Sequence, residues 1–449
     1  MLQAQRSVGP YGAWYEGAID LAALRRTHRD RYTEQTDVSV DGNTAAAIPF
    51  LQWWRSPIVA GFPITPSTKW LEHLAAEVGS GRFDVEVGGR RVLGKRVKLL
   101  EAEHAVADYL VGVAAACRDL IVGTATSSVG LDHMSETVRS LGASGLGNVI
   151  IVNVCRATAN YPLCIEGDPS DHLAHRDDGF IQVMCRGKQQ IYDTLLQLPA
   201  VGMHPRVLTP TMPAFYGIKD SHRTARLRVE PDAEVNRFLE DAIALDGGPA
   251  TPPGLLDGDT SMGNCVTSAF FQGFKTGQKK RLQATIDVLP KVARLFEERF
   301  GRRGIEAFER YGMDDHPEVA LLCMGPDAGT AIQLLPQLRR DLRTRIGIVV
   351  LRLLTPFPVA ELASALRGVA AVGVVNNAFH HGRGHLTLDV RDAVAAQTLV
   401  DSFFCGLGGA DVSPATWGAI ARETCNTASR GKPSRQWHLL HDGIELEEE

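Results

Sequence analysis

The amino-acid sequence predicts an α/β protein with two open parallel-sheet domains. Runs rich in β-branched residues, such as NVIIVNVCR (148–156) and IGIVVLRLL (346–354), have the composition of buried strands. Segments with helical periodicity alternate with these runs, which is typical of a parallel sheet covered by helices on both faces. A stretch rich in Gly and Pro at 246–264 separates two such series, and 449 residues are enough for two or three domains with their own cores.

The first series of elements follows a polar, charged extension, residues 1–41, which we expect to wrap a neighbour. The small apolar residues of GNTAAAIPFLQWW (42–54) suit a closely packed helix. In GFPITPSTKWLEHLAAEV (61–78) two prolines punctuate a turn, and the hydroxyl side chains after them can cap a helix. Alternating apolar and polar residues around two central glycines predict a β-hairpin at 82–101.

The remainder of the first domain, which spans residues 42–245, continues this alternation. The predicted elements are helices at 101–117, from Leu131 and at 190–198, and strands at 119–126, 148–156 and 206–210. A linker and an amphipathic helix follow over residues 246–315, since apolar residues recur at three to five positions from Ile286 to Phe300.

The second predicted domain covers residues 316–425 and is shorter than the first. Its predicted elements are strands at 319–325, 346–354, 369–377 and 402–409, and helices at 327–342, 358–366 and from Ser413-Pro414 onward. The tail at 426–449 is polar and ends in ELEEE, so we expect it to be solvated.

Composition excludes several classes of protein. Lys and Arg number 47 against 52 Asp and Glu, a net charge of −5 that gives no reason to expect a nucleic-acid or anionic-membrane surface. No apolar run approaches the roughly 20 residues that span a bilayer, and the N-terminus lacks an apolar secretion signal. The eight cysteines form no CxxC pair, so we expect no disulfide framework and no iron–sulfur or zinc site in this chain, and a cytoplasmic location.

Two charged residues are candidates for chemistry. Arg156 follows a hydrophobic strand, where ligands collect in open α/β sheets, and can hold a carboxylate or phosphate through two hydrogen bonds. An ion pair with an acidic residue at 166–171 is an equal alternative. Glu103 begins a helix with a small-residue face, where it is either a buried functional carboxylate or a residue that complements the helix dipole. Taken alone, the segment GFPITPST is better explained as a proline-containing turn before a helix than as part of a binding site.

Three further segments could suggest metal or phosphate binding, but each has a better explanation. EGDPSDHLAHRDDGF (166–180) favours a polar loop held by its own hydrogen bonds. Two glycines beside His381 and His385 argue against the helix that would align these imidazoles on a metal. GDTSMGN (258–264) lacks the companion Asn of a thiamine diphosphate–Mg²⁺ motif. Neither a Rossmann nor a P-loop motif is present, and we expect no metal site.

Taken together and in order, the segments resemble the 2-oxoacid:ferredoxin oxidoreductases of the pyruvate type. GNTAAA, GFPITPST, EAEHAVADYLVGVAAA, GTATSSVGL and NVIIVNVCRA…IEGDPSD resemble the domain that binds the aminopyrimidine of thiamine diphosphate. VALLCMGPDAGTA, LRLLTPFP, VVNN…HGRG and GLGGADVSP resemble the transketolase C-terminal-like domain that follows it. The resemblance covers roughly residues 42–424 and implies the alpha subunit of such an enzyme.

The resemblance implies roles for individual residues. Glu103 matches the glutamate that hydrogen-bonds the pyrimidine ring nitrogen and so activates the cofactor. Thr65 matches the threonine that hydrogen-bonds the oxo or carboxylate oxygen of the substrate, and Arg156 matches the arginine that holds the carboxylate. The other residues implied to contact the cofactor are Pro63, Ile64, Ser127 and Ser128.

The same resemblance implies CoA-dependent oxidative decarboxylation of a 2-oxoacid by a complex in which this chain is inactive alone. Pyruvate or a similar small acid is the first choice and an aryl acid such as phenylglyoxylate the second, with a side-chain pocket near Tyr161–Ile165. Oxalate is disfavoured because some oxalate-using relatives have Arg where this chain has Thr65.

Several functions must then come from partners. A beta subunit would supply the Mg²⁺–diphosphate site, beside a gamma-type subunit, a ferredoxin-like iron–sulfur subunit and a flavin subunit. Two other functions stay open: a non-catalytic assembly subunit, and the pyrimidine subunit of a non-oxidative decarboxylase. The presence of Glu103, Thr65 and Arg156 together argues against the former, and the second domain argues against the latter.

Overall fold

The structure, a computed structural model, confirms the predicted α/β fold with parallel sheets. It describes residues 21–87, 90–158, 162–247, 254–255, 262–263, 265–380, 383–394, 396–433, 438–441 and 444–447. Within these ranges no helix is both long and apolar enough to cross a membrane.

The first unit contains a five-stranded sheet. In chain order its elements are α1 (Leu21–Thr27), β1 (Thr36–Val40), α2 (Gly42–Gln52), β2 (Ile58–Gly61), α3 (Thr68–Gly79), β3 (Asp84–Val87), β4 (Arg90–Leu93), β5 (Arg96–Leu99), α4 (Glu103–Ala116), β6 (Val122–Thr126), α5 (Val129–His133), α6 (Ser135–Ala143), β7 (Val149–Cys155), α7 (Ser170–Ala174), β8 (Ile181–Met184), α8 (Lys188–Met203), β9 (Thr211–Tyr216), β10 (Ala225–Val229), α9 (Asp232–Ile243) and α10 (Ser268–Phe300).

The second unit contains a seven-stranded sheet. Its elements are β11 (Phe308–Tyr311), β12 (Val319–Cys323), α11 (Ala328–Leu342), β13 (Ile346–Leu351), β14 (Leu353–Thr355), α12 (Val359–Ala365), β15 (Ala371–Asn376), β16 (Phe379–His380), β17 (Arg383–Gly384), α13 (His385–Ala393), β18 (Leu399–Phe404), α14 (Pro414–Arg430), β19 (His438–His441) and β20 (Ile444–Glu447).

The two sheets share a segment of chain. The first sheet has the order β14-β8-β9-β7-β6, with β6, β7, β9 and β8 mutually parallel. The second has the order β11-β13-β12-β15-β18-β19-β20. β14 follows β13 in the chain but pairs antiparallel with β8. A strand of the second unit therefore completes the sheet of the first unit. The two units are therefore joined at a sheet edge as well as through the chain.

The core of the first unit depends on close approach between small residues. The residues of α2 are almost all buried, among them three consecutive alanines, as its composition predicts. A Cβ on Gly123 in β6 would lie 2.5 Å from the ring of Phe50 in α2, so this helix packs directly on the sheet. The ring of Phe50 also contacts Trp53 and Trp70 edge-on at 5.2 Å.

The observed elements differ from the predicted ones in four places. No strand forms at 206–210; it begins one residue later as β9, because Leu208 has a left-handed backbone (φ 38°) and the chain turns there. β8 was not predicted. β19 and β20, in the tail that was predicted to be solvated, extend the second sheet. β11 (Phe308–Tyr311) lies inside the predicted linker and pairs with β13.

Candidate active site

The loops after two neighbouring parallel strands form the candidate site. β6 ends at Thr126 and continues into Ser127 and Ser128, whereas β7 ends at Cys155 and continues into Arg156. These strands pair in parallel, so both loops leave the same edge of the sheet, where open α/β sheets bind ligands.

The structure brings the predicted residues Thr65 and Arg156 into contact. Nη1 of Arg156 donates a hydrogen bond to the backbone oxygen of Thr65 at 3.0 Å. Arg156 is 7% exposed, and its buried Nε has no hydrogen-bond partner among the described residues. The residue Thr65 is exposed. The arginine is therefore fixed at one nitrogen and retains other donors for a ligand.

Glu103, Ile64 and the end of β6 converge around Gly130. A Cβ placed on Gly130 would lie 2.6 Å from Thr126 Oγ1, 3.1 Å from Ile64 Cδ1 and 3.4 Å from Glu103 Cγ. The site therefore requires a residue without a side chain at this position. The Glu103 side chain, at the start of α4, is 13% exposed, and its Oε2 lies 3.4 Å from His133 Nδ1.

Asp171 holds the two loops together, a role that the sequence analysis missed. Its Oδ2 accepts hydrogen bonds from the backbone N–H of Ser128 at 2.9 Å and of Arg156 at 3.0 Å. Burial raises the pKa of this carboxyl to about 6 against the opposing effect of those hydrogen bonds. Asp171 was one of the acidic residues expected to form an ion pair with Arg156, but its carboxylate bonds to the backbone N–H of Arg156. Its hydrogen bond also supports Ser128, whose φ is 42°.

Unpaired polar atoms at this edge test whether thiamine diphosphate fits. The hydroxyls of Thr126 and Ser127 are buried and have no hydrogen-bond partner among the described residues. Buried polar groups normally have a partner, because an unmade hydrogen bond costs about 1–3 kcal/mol. With the carboxylate of Glu103 and the apolar Ile64, these atoms fit a flat, polar-edged ring such as the aminopyrimidine.

The second unit packs against the loop that follows Arg156. Asp168 Oδ2 accepts a hydrogen bond from Gly408 N at 2.7 Å, and its Oδ1 accepts one from Ser170 N. Lys219 Nζ, from the first unit, lies 2.9 Å from Asp327 and 3.0 Å from Asp411 of the second. The polar segment at 166–180 therefore makes both internal hydrogen bonds and bonds to the second unit.

A buried histidine near the site makes stability depend on pH. His175 lies between Asp178 (Nδ1 to Oδ2, 2.5 Å) and Asp132 (Nε2 to Oδ1, 3.1 Å). Burial alone would lower its pKa, but hydrogen bonds to the two carboxylates raise the pKa to about 9. The stabilisation, about 3 kcal/mol, is present in full below pH 6.5 and is lost as pH rises through 9.

We therefore expect urea unfolding to show a stability that falls between pH 7 and pH 10. His175→Asn should be less stable than wild type at pH 6 and should lose less stability over this interval. Parallel pH profiles for the two proteins would contradict the assignment.

Comparisons with known proteins match two successive parts of the chain. The family profile described as pyruvate flavodoxin/ferredoxin oxidoreductase, thiamine diphosphate-binding, matches residues 55–291, more than half of the chain. The chain belongs to this family. A second profile, pyruvate:ferredoxin oxidoreductase core domain II, matches residues 317–416.

Relatives of known name cover most of the chain. Pyruvate synthase subunit PorA of Thermotoga maritima is 30% identical over 383 residues, 84% of this chain and 91% of the relative. The alpha subunit of NADH-dependent phenylglyoxylate dehydrogenase of Aromatoleum evansii is 28% identical over 391 residues, 85% of this chain and 89% of the relative. Ketoisovalerate oxidoreductase subunit VorA of Pyrococcus abyssi is 28% identical over 408 residues, which are 90% of this chain and 97% of the relative.

A solved structure shows the same fold. The 2-oxoglutarate:ferredoxin oxidoreductase of Magnetococcus marinus superposes with a TM-score of 0.60 at 16% identity over 87% of this chain; the match spans 65% of that chain. The comparisons confirm the predictions of the family and of an oxidoreductase subunit that depends on thiamine diphosphate and acts on a 2-oxoacid. Since the relatives are subunits of larger enzymes, the prediction of a hetero-oligomer is confirmed too.

Some predictions fall on residues outside the described ranges. These are residues 1–20 of the predicted N-terminal extension, the two glycines at 88–89 of the predicted hairpin, Tyr161 of the predicted substrate pocket, most of the 258–264 motif, and His381. Leu163 and Ile165, from the other end of the predicted pocket, are 60% and 44% exposed.

Proposed function

We propose that this chain binds the aminopyrimidine of thiamine diphosphate and the carboxylate of the 2-oxoacid in an alpha subunit that catalyses CoA-dependent oxidative decarboxylation. The observation that carries this proposal is the convergence of Glu103, Ile64 and Thr126 around Gly130, beside the Arg156–Thr65 contact. Family membership alone would give the reaction class; this geometry supports particular residues for it.

Each side chain has a separate task in this proposal. When bound, thiamine diphosphate would supply a carbon nucleophile for the 2-oxo carbon and a thiazolium ring able to accept the electron pair released with CO₂. Glu103 holds a proton between its carboxylate and the pyrimidine ring nitrogen, and its mostly buried position strengthens that hydrogen bond. Ile64 and the hydroxyls of Thr126, Ser127 and Ser128 hold the ring, with Pro63 at the exposed rim.

Arg156 and Thr65 orient the substrate. Arg156 presents its remaining N–H groups to the carboxylate, and the hydroxyl of Thr65 donates to an oxo or carboxylate oxygen. Because decarboxylation removes negative charge from this carboxylate, the contact must orient it without stabilising the ground state strongly. The contact is common to all 2-oxoacids, so the acid's side chain is selected elsewhere.

We propose that partner subunits carry the electron acceptors. Burial raises the pKa of Cys155, Cys323 and Cys405 well above the ordinary thiol value, which disfavours the thiolate that a cluster needs. A ferredoxin-like subunit would hold the clusters, a beta subunit the Mg²⁺–diphosphate site, and gamma-type and flavin subunits would complete the complex. Pyruvate or another small 2-oxoacid remains the first choice of substrate, and phenylglyoxylate the second.

The purified chain alone is expected neither to turn over a 2-oxoacid nor to bind thiamine diphosphate tightly. Calorimetric titration with the Mg²⁺ complex of the cofactor measures binding, and reduction of a viologen dye with pyruvate and CoA measures turnover. Adding the co-expressed partner subunits should restore both. Oxidative decarboxylation by the isolated chain would contradict the proposed division between subunits, and active complexes lacking this chain would support the assembly-subunit alternative.

A further inference from the structure

A second cluster of ligand-type side chains lies outside the candidate active site. His28 and Asp30 follow α1, and Asp232 begins α9. One ring nitrogen of His28 and one carboxylate oxygen from each aspartate all lie within 4.8 Å of one another, and His28 Nε2 is 3.8 Å from Asp30 Oδ1. Nothing in the sequence analysis predicted a site here.

The imidazole of His28 directs an unpaired nitrogen into this cluster. Its side chain is only 8% exposed, and Nε2 is buried without a hydrogen-bond partner among the described residues. A buried imidazole nitrogen that has no hydrogen-bond partner and lies beside two carboxylates has the donor atoms of a metal site. A nitrogen lone pair among carboxylate oxygens is repulsive unless a cation or proton lies between them.

The two carboxylates differ in ways that suit a metal site. Asp232 is buried and rigid, since Oδ1 accepts from Gln52 Nε2 at 2.7 Å and Oδ2 accepts from Arg31 N at 2.6 Å. The Asp30 side chain is 40% exposed, which gives an ion access from solvent. Each carboxylate oxygen retains a further lone pair for a ligand.

We propose that His28, Asp30 and Asp232 bind one divalent transition-metal ion of the zinc class. One imidazole nitrogen with carboxylate oxygens suits Zn²⁺, whereas Ca²⁺ and Mg²⁺ prefer oxygen ligands alone. Ligand atoms bound tetrahedrally to one zinc at about 2.0–2.2 Å lie roughly 3.3–3.6 Å apart, so atoms that lie within 4.8 Å of one another must move closer by up to about 1.5 Å to bind one ion. Water completes the coordination.

The ion would fasten the N-terminal segment to the first unit. Asp30 and His28 belong to that segment, and Asp232 to α9. Other contacts of the segment include the pairing of β1 with β10 and the ion pairs of Arg31 with Glu77 at 2.8 Å and of Arg25 with Glu240 at 3.0 Å. The role is structural, and it does not depend on the function proposed for the active site.

A buried cation nearby opposes metal binding and has to be weighed. The ammonium of Lys95 interacts electrostatically with both His28 and Asp232. It is directed at the backbone oxygens of Phe50, Trp53 and Ser56, at 2.8–2.9 Å, and not at the cluster. Two carboxylates outnumber this one ammonium, so the local charge still favours a dication.

Zinc content of matched variants tests the proposal. The full chain would carry Cys265→Ser throughout, because Cys265 is an exposed thiol that can bind zinc by itself. After EDTA treatment, reloading and dialysis, we expect about one zinc per chain by mass spectrometry, and roughly tenfold weaker zinc binding in Asp30→Asn. Glu34→Gln, the same charge change at an exposed position of the same segment, should match the parent.

Thermal unfolding gives a second measure. Zinc at about 100 times the Kd of the parent should raise the melting temperature of the parent and of Glu34→Gln by on the order of 3 °C, and that of Asp30→Asn, which is then at only about 10 times its own Kd, by about half as much. Equal zinc content in all three proteins would mean binding elsewhere and overturn the proposal. So would calorimetry on the parent chain showing a Kd weaker than about 1 mM, a result that needs no variant to fold.

Discussion

Replacing Glu103 with Gln is expected to lower the activity of the assembled complex by roughly 10²–10⁴-fold, the usual size of an acid–base contribution. Gln keeps the shape of the side chain beside Gly130 but cannot share a proton with the pyrimidine nitrogen in the same way. The complex should assemble normally. Exchange of the thiazolium proton, followed by NMR with cofactor bound, should slow in parallel with turnover.

Glu101→Gln is the matched control. This carboxylate is two residues away but exposed, so its loss should change little. Unchanged proton exchange in Glu103→Gln would show that another carboxylate interacts with the cofactor, and a large effect of Glu101→Gln would make that residue the candidate. A Glu103→Gln complex that lacks cofactor altogether would instead indicate a binding role, which the same titration detects.

The imidazole of His133 lies beside Glu103, so the Glu103→Gln variant has to be studied in the assembled complex. A ring nitrogen of His133 lies 3.4 Å from Glu103, and its side chain is 64% exposed in the isolated chain. Since the proposed partner subunit supplies the other half of the cofactor site, this contact has to be measured in the complex and not in the chain alone. Both variants should therefore be prepared by co-expression with the partners.

The sequence predicted the elements that carry the site because each has a strong local pattern. The β-branched run of β7 and the small-residue helix α4 place Arg156 and Glu103 at element ends, and such ends can be recognised without tertiary information. The association of Arg156 with Thr65 was implied only by the resemblance, because a contact between residues 91 positions apart leaves no local pattern.

The features that were missed depend on long-range pairing. β9 contains Pro213, which argues locally against a strand, and tertiary pairing with β7 and β8 overrides this. β14 joins a sheet whose other strands precede it by more than 130 residues. The buried contacts of Asp171 with two backbone N–H groups were likewise not predictable, although its place in IEGDPSD, after β7, marked the segment.

Substitution of Arg156 by Lys is expected to reduce kcat/KM by roughly 10- to 200-fold, since a charge-assisted hydrogen bond contributes about 1.5–3 kcal/mol. In the structure one nitrogen of the guanidinium holds the backbone of Thr65, which leaves the others for the carboxylate. A lysine has a single ammonium without the planar fork of a guanidinium, so it cannot bond to the backbone oxygen of Thr65 and to both oxygens of the substrate carboxylate at once. The defect should arise without loss of assembly.

The choice of substrates makes this prediction specific. Pyruvate, 2-oxobutyrate, 2-oxoglutarate and phenylglyoxylate share the carboxylate and differ in the side chain, so Arg156→Lys should impair all four by a similar factor. Arg226→Lys, with a 75% exposed side chain on β10, controls for the exchange of cation and should leave kcat/KM unchanged. A defect confined to one substrate would mean that Arg156 recognises the side chain or holds a loop, and its assignment to the carboxylate would have to be withdrawn.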